Sequence, residues 1–184
     1  MNKKASQIEC KQALREQIKI RFSQYTINDL EQKSKMIETK LLNSLEFMQA
    51  NSILIYLSTQ KEVQTENIIR QAHKLNKKVY VPITKEKMHI TKLEPNADYI
   101  LGKYNIKEPK LYFLSDDDKI DLAIVPMVAY DKNAARLGHG KGYFDRFLHN
   151  FEGKIIGLAF GFQEAENVFA EAHDIAMHKL ITDL

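Results

Sequence analysis

A single cysteine, Cys10, leaves this chain without an internal disulfide. It stands in a charged helical stretch far from any base, which makes it a poor nucleophile. No apolar run approaches the roughly 18–20 residues that cross a bilayer, so a membrane partner is not expected. The basic start Met1-Asn2-Lys3-Lys4 leads into a polar amphipathic segment and not an apolar signal core, and a cytoplasmic location is the expectation. Repeats, low-complexity tracts and linkers are missing too, so one domain over 1–184 is expected. Excess charge of one sign is also absent. Against 24 acidic residues stand 27 basic ones, and a net charge of +3 is too mild for a nucleic-acid partner, though it suits small anionic ligands. A chain of 184 residues can bury about 70% of the surface its unfolded form exposes, enough for one full core.

Glycine is scarce as well, with seven residues, yet three of them fall within five positions in Arg136-Leu137-Gly138-His139-Gly140-Lys141-Gly142-Tyr143-Phe144-Asp145. Alternate glycines permit positive φ and bring successive N–H groups toward anionic oxygens. Arg136 and Lys141 add positive charge, and Asp145 offers a carboxylate to a divalent cation. A plain tight turn opening a helix would explain the glycines, but it needs neither two cations nor the following carboxylate. Two familiar phosphate loops are excluded by spacing. Lys141 is followed by Gly142, where the Walker pattern needs Ser or Thr, and Tyr143 stands where the dinucleotide fingerprint needs a third glycine.

Hydrophobic spacing predicts a helix over 5–22 with the stripe Ile8, Leu14, Ile18 and Phe22, and a basic face of Lys11, Arg15 and Lys19. A second helix begins with Thr26 or Asn28 as N-cap and carries Leu30, Ile37, Leu41, Leu45 and Met48. The continuous apolar run 53–57 reads as a strand covered on both faces. A helix over 65–75, with Ile68, Ile69, Ala72 and Leu75 inward, leads to a strand over 78–81 closed by Pro82. Residues 86–114 give no firm pattern beyond a short strand near 88–93. The acidic residues Asp116, Asp117 and Asp118 do not converge as ligands and read as a solvated loop. Further strands are predicted over 121–125, 154–160 and 177–181, with a helix over 142–151 carrying Phe144, Phe147, Leu148 and Phe151 inward; Gly157 and Gly161 allow close packing. This alternation predicts an α/β, three-layer, Rossmann-like fold with a parallel-rich mixed sheet and helices on both faces, ligands binding beyond the carboxyl ends of the strands.

The run Val125-Pro126, then Tyr130-Asp131-Lys132-Asn133, then 136–148 in full, resembles the signature of the 5-formyltetrahydrofolate cyclo-ligases, also called methenyltetrahydrofolate synthetases. Lys11-Gln12-Ala13-Leu14-Arg15 is similar to the family's Lys-x-x-Leu-Arg, and 58–65 with Glu62 is similar to its substrate loop. Met127 stands where the family usually has Gly, His139 where Arg or Tyr is common, and His178 in place of a second acidic residue after the pair His173-Asp174.

The resemblance implies ATP-dependent conversion of 5-formyltetrahydrofolate to 5,10-methenyltetrahydrofolate, with ADP and phosphate released. It implies ATP contacts at Lys11, Arg15, Arg136, Leu137, Gly138, His139, Gly140, Lys141, Gly142 and Tyr143, with Arg136 and Lys141 as the catalytic pair. Leu57, Glu62, Tyr143 and Phe144 would meet the folate, and Asp145 and Asp174 would hold Mg²⁺. On their own, Lys11 and Arg15 read as a solvated helix face and Asp145 as an aspartate favoured by a helix N-terminus. His73, His89 and His149 read as structural or solvated. The expected partners are the folate and ATP, the expected state a monomer. The competing reading is a non-catalytic nucleotide- or folate-binding module on the same scaffold. Charge alone suggests that the lysines within 74–78 meet the substrate's glutamate tail.

Overall fold

The structure, a computed structural model, describes residues 3–102, 107–114 and 119–184. The expected acidic loop at Asp116, Asp117 and Asp118 lies outside them. A six-stranded sheet forms the centre, built from β1 (Ser52–Ile55), β2 (Lys78–Thr84), β3 (Met88–Lys92), β6 (Leu122–Val125), β9 (Lys154–Leu158) and β10 (Lys179–Ile181). Its order is β10-β9-β6-β1-β2-β3, parallel throughout except for β3, which pairs antiparallel with β2 at one edge. Two small antiparallel pairs stand outside it, β4 (Tyr99–Leu101) with β5 (Lys107–Pro109), and β7 (Ala129–Tyr130) with β8 (Arg136–Leu137).

The strands are apolar at every central position because both faces are covered. Alternation sends Ile53 and Ile55 to one face, where they meet Ile37 and Leu41 of α2 (Ile27–Leu42), Phe47 of α3 (Leu45–Gln49) and Ile68, Ile69 and Ala72 of α4 (Glu66–Lys74). Leu54, Ala123, Val125 and Ile155 face the other way, toward Leu148 of α5 (Tyr143–Leu148) and the loop side chains Ile120, Met127 and Met177. That second layer is therefore one short helix completed by loops. The helix α1 (Lys3–Phe22) packs elsewhere, setting Leu14 and Ile18 against Ala129 and Leu137 of the small β7–β8 pair and against Val168. Each fully buried Ile, Leu or Phe of these clusters contributes about 1.5–3 kcal/mol.

Several elements depart from the expected pattern for local reasons. Thr26, and not Asn28, caps α2, in a reciprocal pair with Asp29. The predicted single helix through Met48 is broken at Ser44, whose hydroxyl donates to the Leu41 carbonyl at 2.7 Å and accepts from the Phe47 N–H at 3.3 Å. Re-phasing the chain there buries Phe47 and leaves Leu45 and Met48 exposed. Ile8 and Leu75 are exposed as well, Leu75 because it is already the C-cap of α4. Pro82 does not close β2. It pairs with Ile90 of β3 beyond the point where β1 pairing ends at Tyr80, so its missing N–H costs no ladder bond there. Met127, in place of the family's Gly, is buried with its methyl over Gly157, where an added Cβ would lie 2.3 Å from it.

From β1 the chain passes through α4 to β2 on one side, whereas β6 joins β1 on the other side. Strand order thus switches between β1 and β6, and loops leaving their carboxyl ends border one crevice.

Candidate functional site

The loop after β1 is held from beneath. The Tyr56 hydroxyl donates to the Val63 carbonyl at 2.9 Å, and the Thr65 hydroxyl donates to the Tyr56 carbonyl at 2.7 Å. Within this frame Glu62 accepts from the Thr59 N–H at 2.8 Å and from its hydroxyl at 2.9 Å through one carboxylate oxygen. The other oxygen lies 3.8 Å from Nε2 of His139. Burial raises the Glu62 carboxyl, but His139 and the Thr59 donors outweigh it and hold the group below its ordinary value. A fixed carboxylate at the mouth of the crevice is the result.

The glycine loop follows β8 and stands opposite. Gly140 and Gly142 take positive φ, +93° and +61°, the second as N-cap of α5. Arg15 reaches over from α1 and donates through Nε to the Gly138 carbonyl at 3.0 Å, its guanidinium covering the bare α-carbon of Gly140. A Cβ at Gly140 would sit 3.2 Å from that guanidinium. Lys141 is exposed, and among the described residues its ammonium has no partner. Arg146 of α5 lies over the Tyr143 ring, 5.2 Å from its centre.

Arg136, unlike Lys141, is buried and already paired. Its side chain is only 3% exposed, donating to the Asp145 carboxylate at 2.6 Å and to the Ile175 carbonyl at 2.5 Å. Asp145 also accepts from the Ile175 N–H at 3.3 Å. Burial draws the Arg136 guanidinium below its ordinary value, against the pull of Asp145 and Asp174. Lys11 is similarly engaged, with Glu171 at 2.9 Å and Asp174 at 3.0 Å. Burial lowers its ammonium, yet the two carboxylates prevail and raise it; Asp174, raised by burial, is lowered overall by the Glu171 N–H and Lys11.

The structure thus brings Lys11, Arg15, Arg136, His139, Asp145 and Asp174 to one end of the sheet, but it pairs Lys11 and Arg136 with acids. Leu57 packs against the core at the start of the Glu62 loop, and Phe144 packs against both core clusters while Tyr143 is half-buried. Sequence reasoning missed Glu171, Ile175 and Arg146. Glu171 and Ile175 sit in a turn with no periodicity, and only the spacing Glu171-x-x-Asp174 hinted at a shared cation.

Residues 7–183 match the family model described as the 5-formyltetrahydrofolate cyclo-ligase family. A Haemophilus influenzae protein named 5-formyltetrahydrofolate cyclo-ligase is 29% identical over 180 residues, covering 93% of this chain and 96% of that one. A Saccharomyces cerevisiae protein of the same name is 28% identical over 199 residues, with 93% and 94% covered. Among solved structures, an Aquifex aeolicus 5,10-methenyltetrahydrofolate synthetase superimposes with a TM-score of 0.82 at 26% identity, over 94% of this chain and 89% of its own. A Mycoplasma pneumoniae 5,10-methenyltetrahydrofolate synthetase shares the fold at a TM-score of 0.77 and 22% identity, over 95% and 99%.

Proposed function

This chain belongs to the 5-formyltetrahydrofolate cyclo-ligase family, and from that premise we propose that it converts 5-formyltetrahydrofolate and ATP to 5,10-methenyltetrahydrofolate, ADP and phosphate. The observation that carries this reading is the approach of the glycine loop to the Glu62 loop, with His139 3.8 Å from Glu62. A phosphate-binding loop and a carboxylate suited to the donors of a pterin ring face one another, as phosphoryl transfer between nucleotide and folate requires. In this reading a single domain holds both.

The formyl oxygen is a poor leaving group. It takes the γ-phosphoryl group as the P–O bond to ADP breaks, N10 attacks the activated carbon and gives up its proton, and the C–O bond breaks to release phosphate, which can carry that proton away. The substrate supplies its own nucleophile, so the protein positions the reactants and neutralises charge. Backbone N–H groups of the loop 138–143, with Lys141 and Arg15, hold the phosphates in this reading. Leu137 and His139 flank them, while Leu57, Glu62, Tyr143 and Phe144 face the folate. Arg136 fixes the loop to Asp145 and the Ile175 backbone, keeping positive charge beneath the phosphates.

Asp145 and Asp174 suit magnesium. Both are hard oxygen donors, and the Ile175 N–H that bonds Asp145 belongs to the residue next to Asp174. When bound, magnesium supplies charge neutralisation at phosphate oxygens. Lys11 and Arg136 hold these carboxylates in place, at 3.0 Å from Asp174 and 2.6 Å from Asp145. In the test, purified protein with ATP, Mg²⁺ and 5-formyltetrahydrofolate gains the near-ultraviolet absorbance of the conjugated product, and omission of ATP abolishes the gain. An unchanged spectrum with all components present removes the assignment.

A further inference from the structure

A cleft of about 550 Å³ adjoins the Glu62 loop and includes no residue of the glycine run in its lining. It starts at Leu57 and Ser58, directly after β1, and runs along α4 between that helix and the segment from Glu94 to β5. Leu57, Ile69, Pro95 and Tyr99 supply its apolar surface.

The charges of this cleft are unevenly satisfied. Glu66 is paired with Arg70 at 3.4 Å and Glu94 with Lys92 at 2.8 Å. Lys74 and Lys107 also line the cleft, and among the described residues neither has an anionic partner. Of the other lysines near Lys74 in sequence, Lys77 is turned away, bonding the Met48 and Ala50 carbonyls and covering the Phe47 ring. Only Lys74 of that group therefore faces the cleft. His73 lines it too, and its Nε2 is closed off from solvent without a hydrogen-bond partner, the kind of buried polar atom that folded proteins seldom leave unsatisfied.

An apolar channel leading from a pterin-facing loop to unpaired cations matches a flat aromatic body that ends in carboxylates. We propose, resting on the cyclo-ligase reading, that this cleft holds the aminobenzoyl-glutamate arm of the folate, with Leu57 and Ile69 against the ring and Lys74 and Lys107 at the glutamate carboxylates. The loop 58–65 is then a shared wall, Glu62 facing the pterin and Ser58, Gln64 and Thr65 the arm.

The test compares 5-formyltetrahydrofolate with 5-formyltetrahydropteroate, which keeps N10 and the aromatic ring but lacks glutamate. The unaltered protein should show a KM about tenfold lower for the glutamate-bearing substrate. In Lys74→Gln/Lys107→Gln that advantage should shrink to less than about threefold through KM, with kcat following within about twofold, while Lys78→Gln, at the exposed start of β2, should keep it. Titration of the protein with p-aminobenzoyl-glutamate alone should show saturable binding that the double variant weakens about tenfold. Equal discrimination by the double variant and the unaltered protein, or undiminished binding of the arm by the double variant, overturns the proposal. Absence of turnover in the unaltered protein counts against the cyclo-ligase reading alone, because arm binding is read without turnover.

Discussion

Replacing Asp145 by Asn leaves its volume and removes its charge, and the structure says what that exposes. Arg136 keeps the amide oxygen, the Ile175 carbonyl and a 3.9 Å contact with Met177 sulfur as partners, but a guanidinium whose side chain is 3% accessible loses the carboxylate charge bonded to it at 2.6 Å. Removing one charge of a buried ion pair in this way costs about 3–5 kcal/mol. For a domain of this size, each kcal/mol lowers Tm by about 2–4 °C, so the loss is roughly 6–20 °C. Arg136→Met is expected to cost less. The Asp145 it strands is 20% exposed, can reach water, and keeps the Ile175 N–H at 3.3 Å. The double variant Arg136→Met/Asp145→Asn should return to within about 2 kcal/mol of the unaltered protein, since replacing a whole buried pair is often nearly neutral. Urea unfolding at pH 7, with unchanged slopes, measures all three. Turnover should be lost in the double variant although its stability recovers, which separates the two roles of the pair. If the single costs simply add, the pair is not coupled and the reasoning fails.

Lys141→Ala, which removes an exposed ammonium with no partner among the described residues, should lower kcat by about 10²–10³ and change folate affinity less than twofold, as stopped turnover and direct folate binding would show. Equal losses in both would favour a binding role. Gly140→Ala meets positive φ of +93° and a guanidinium 3.2 Å away, and should cost about 1–2 kcal/mol and raise the KM for ATP, read by urea unfolding and initial rates. Glu62, Asp121, Asp174 and Asp183 all titrate below their ordinary values in the folded chain. Their contribution is complete above the unfolded carboxyl values near pH 4 and is lost as pH falls through the lower folded values. The urea midpoint should therefore fall progressively from about pH 5 downward. Lys11 is raised, so its share is present below its unfolded value near 10.4 and is lost as pH climbs through the higher folded one. Lys11→Met should flatten that alkaline limb.

The sheet was legible because both of its faces are covered, which writes runs such as 53–57 as uninterrupted apolar residues. The layer on the second face was less so, since Met127, Ile120 and Met177 come from loops without a period. Phe47 shows the limit of a spacing argument. One serine that turns its hydroxyl back on Leu41 shifts the phase, and the buried residue changes from Leu45 or Met48 to Phe47. At the site, the glycine run announced its own backbone geometry, and Gly140 and Gly142 adopt it. What spacing could not convey was the partner of each charge. Arg136 and Asp145 are nine positions apart, and nothing in the chain order says that they bond each other before either meets a ligand.

The contacts of Lys11 with Glu171 and Asp174 span 160 and 163 positions. A loop that long closes only late, so the central strands can gather well before the nucleotide end is complete. A nascent chain that has not yet emerged through the 171–174 turn has Arg15 and the glycine run without the acids that steady Lys11. In any folding order that starts from the central strands, the nucleotide end is completed only when the 171–174 turn reaches Lys11.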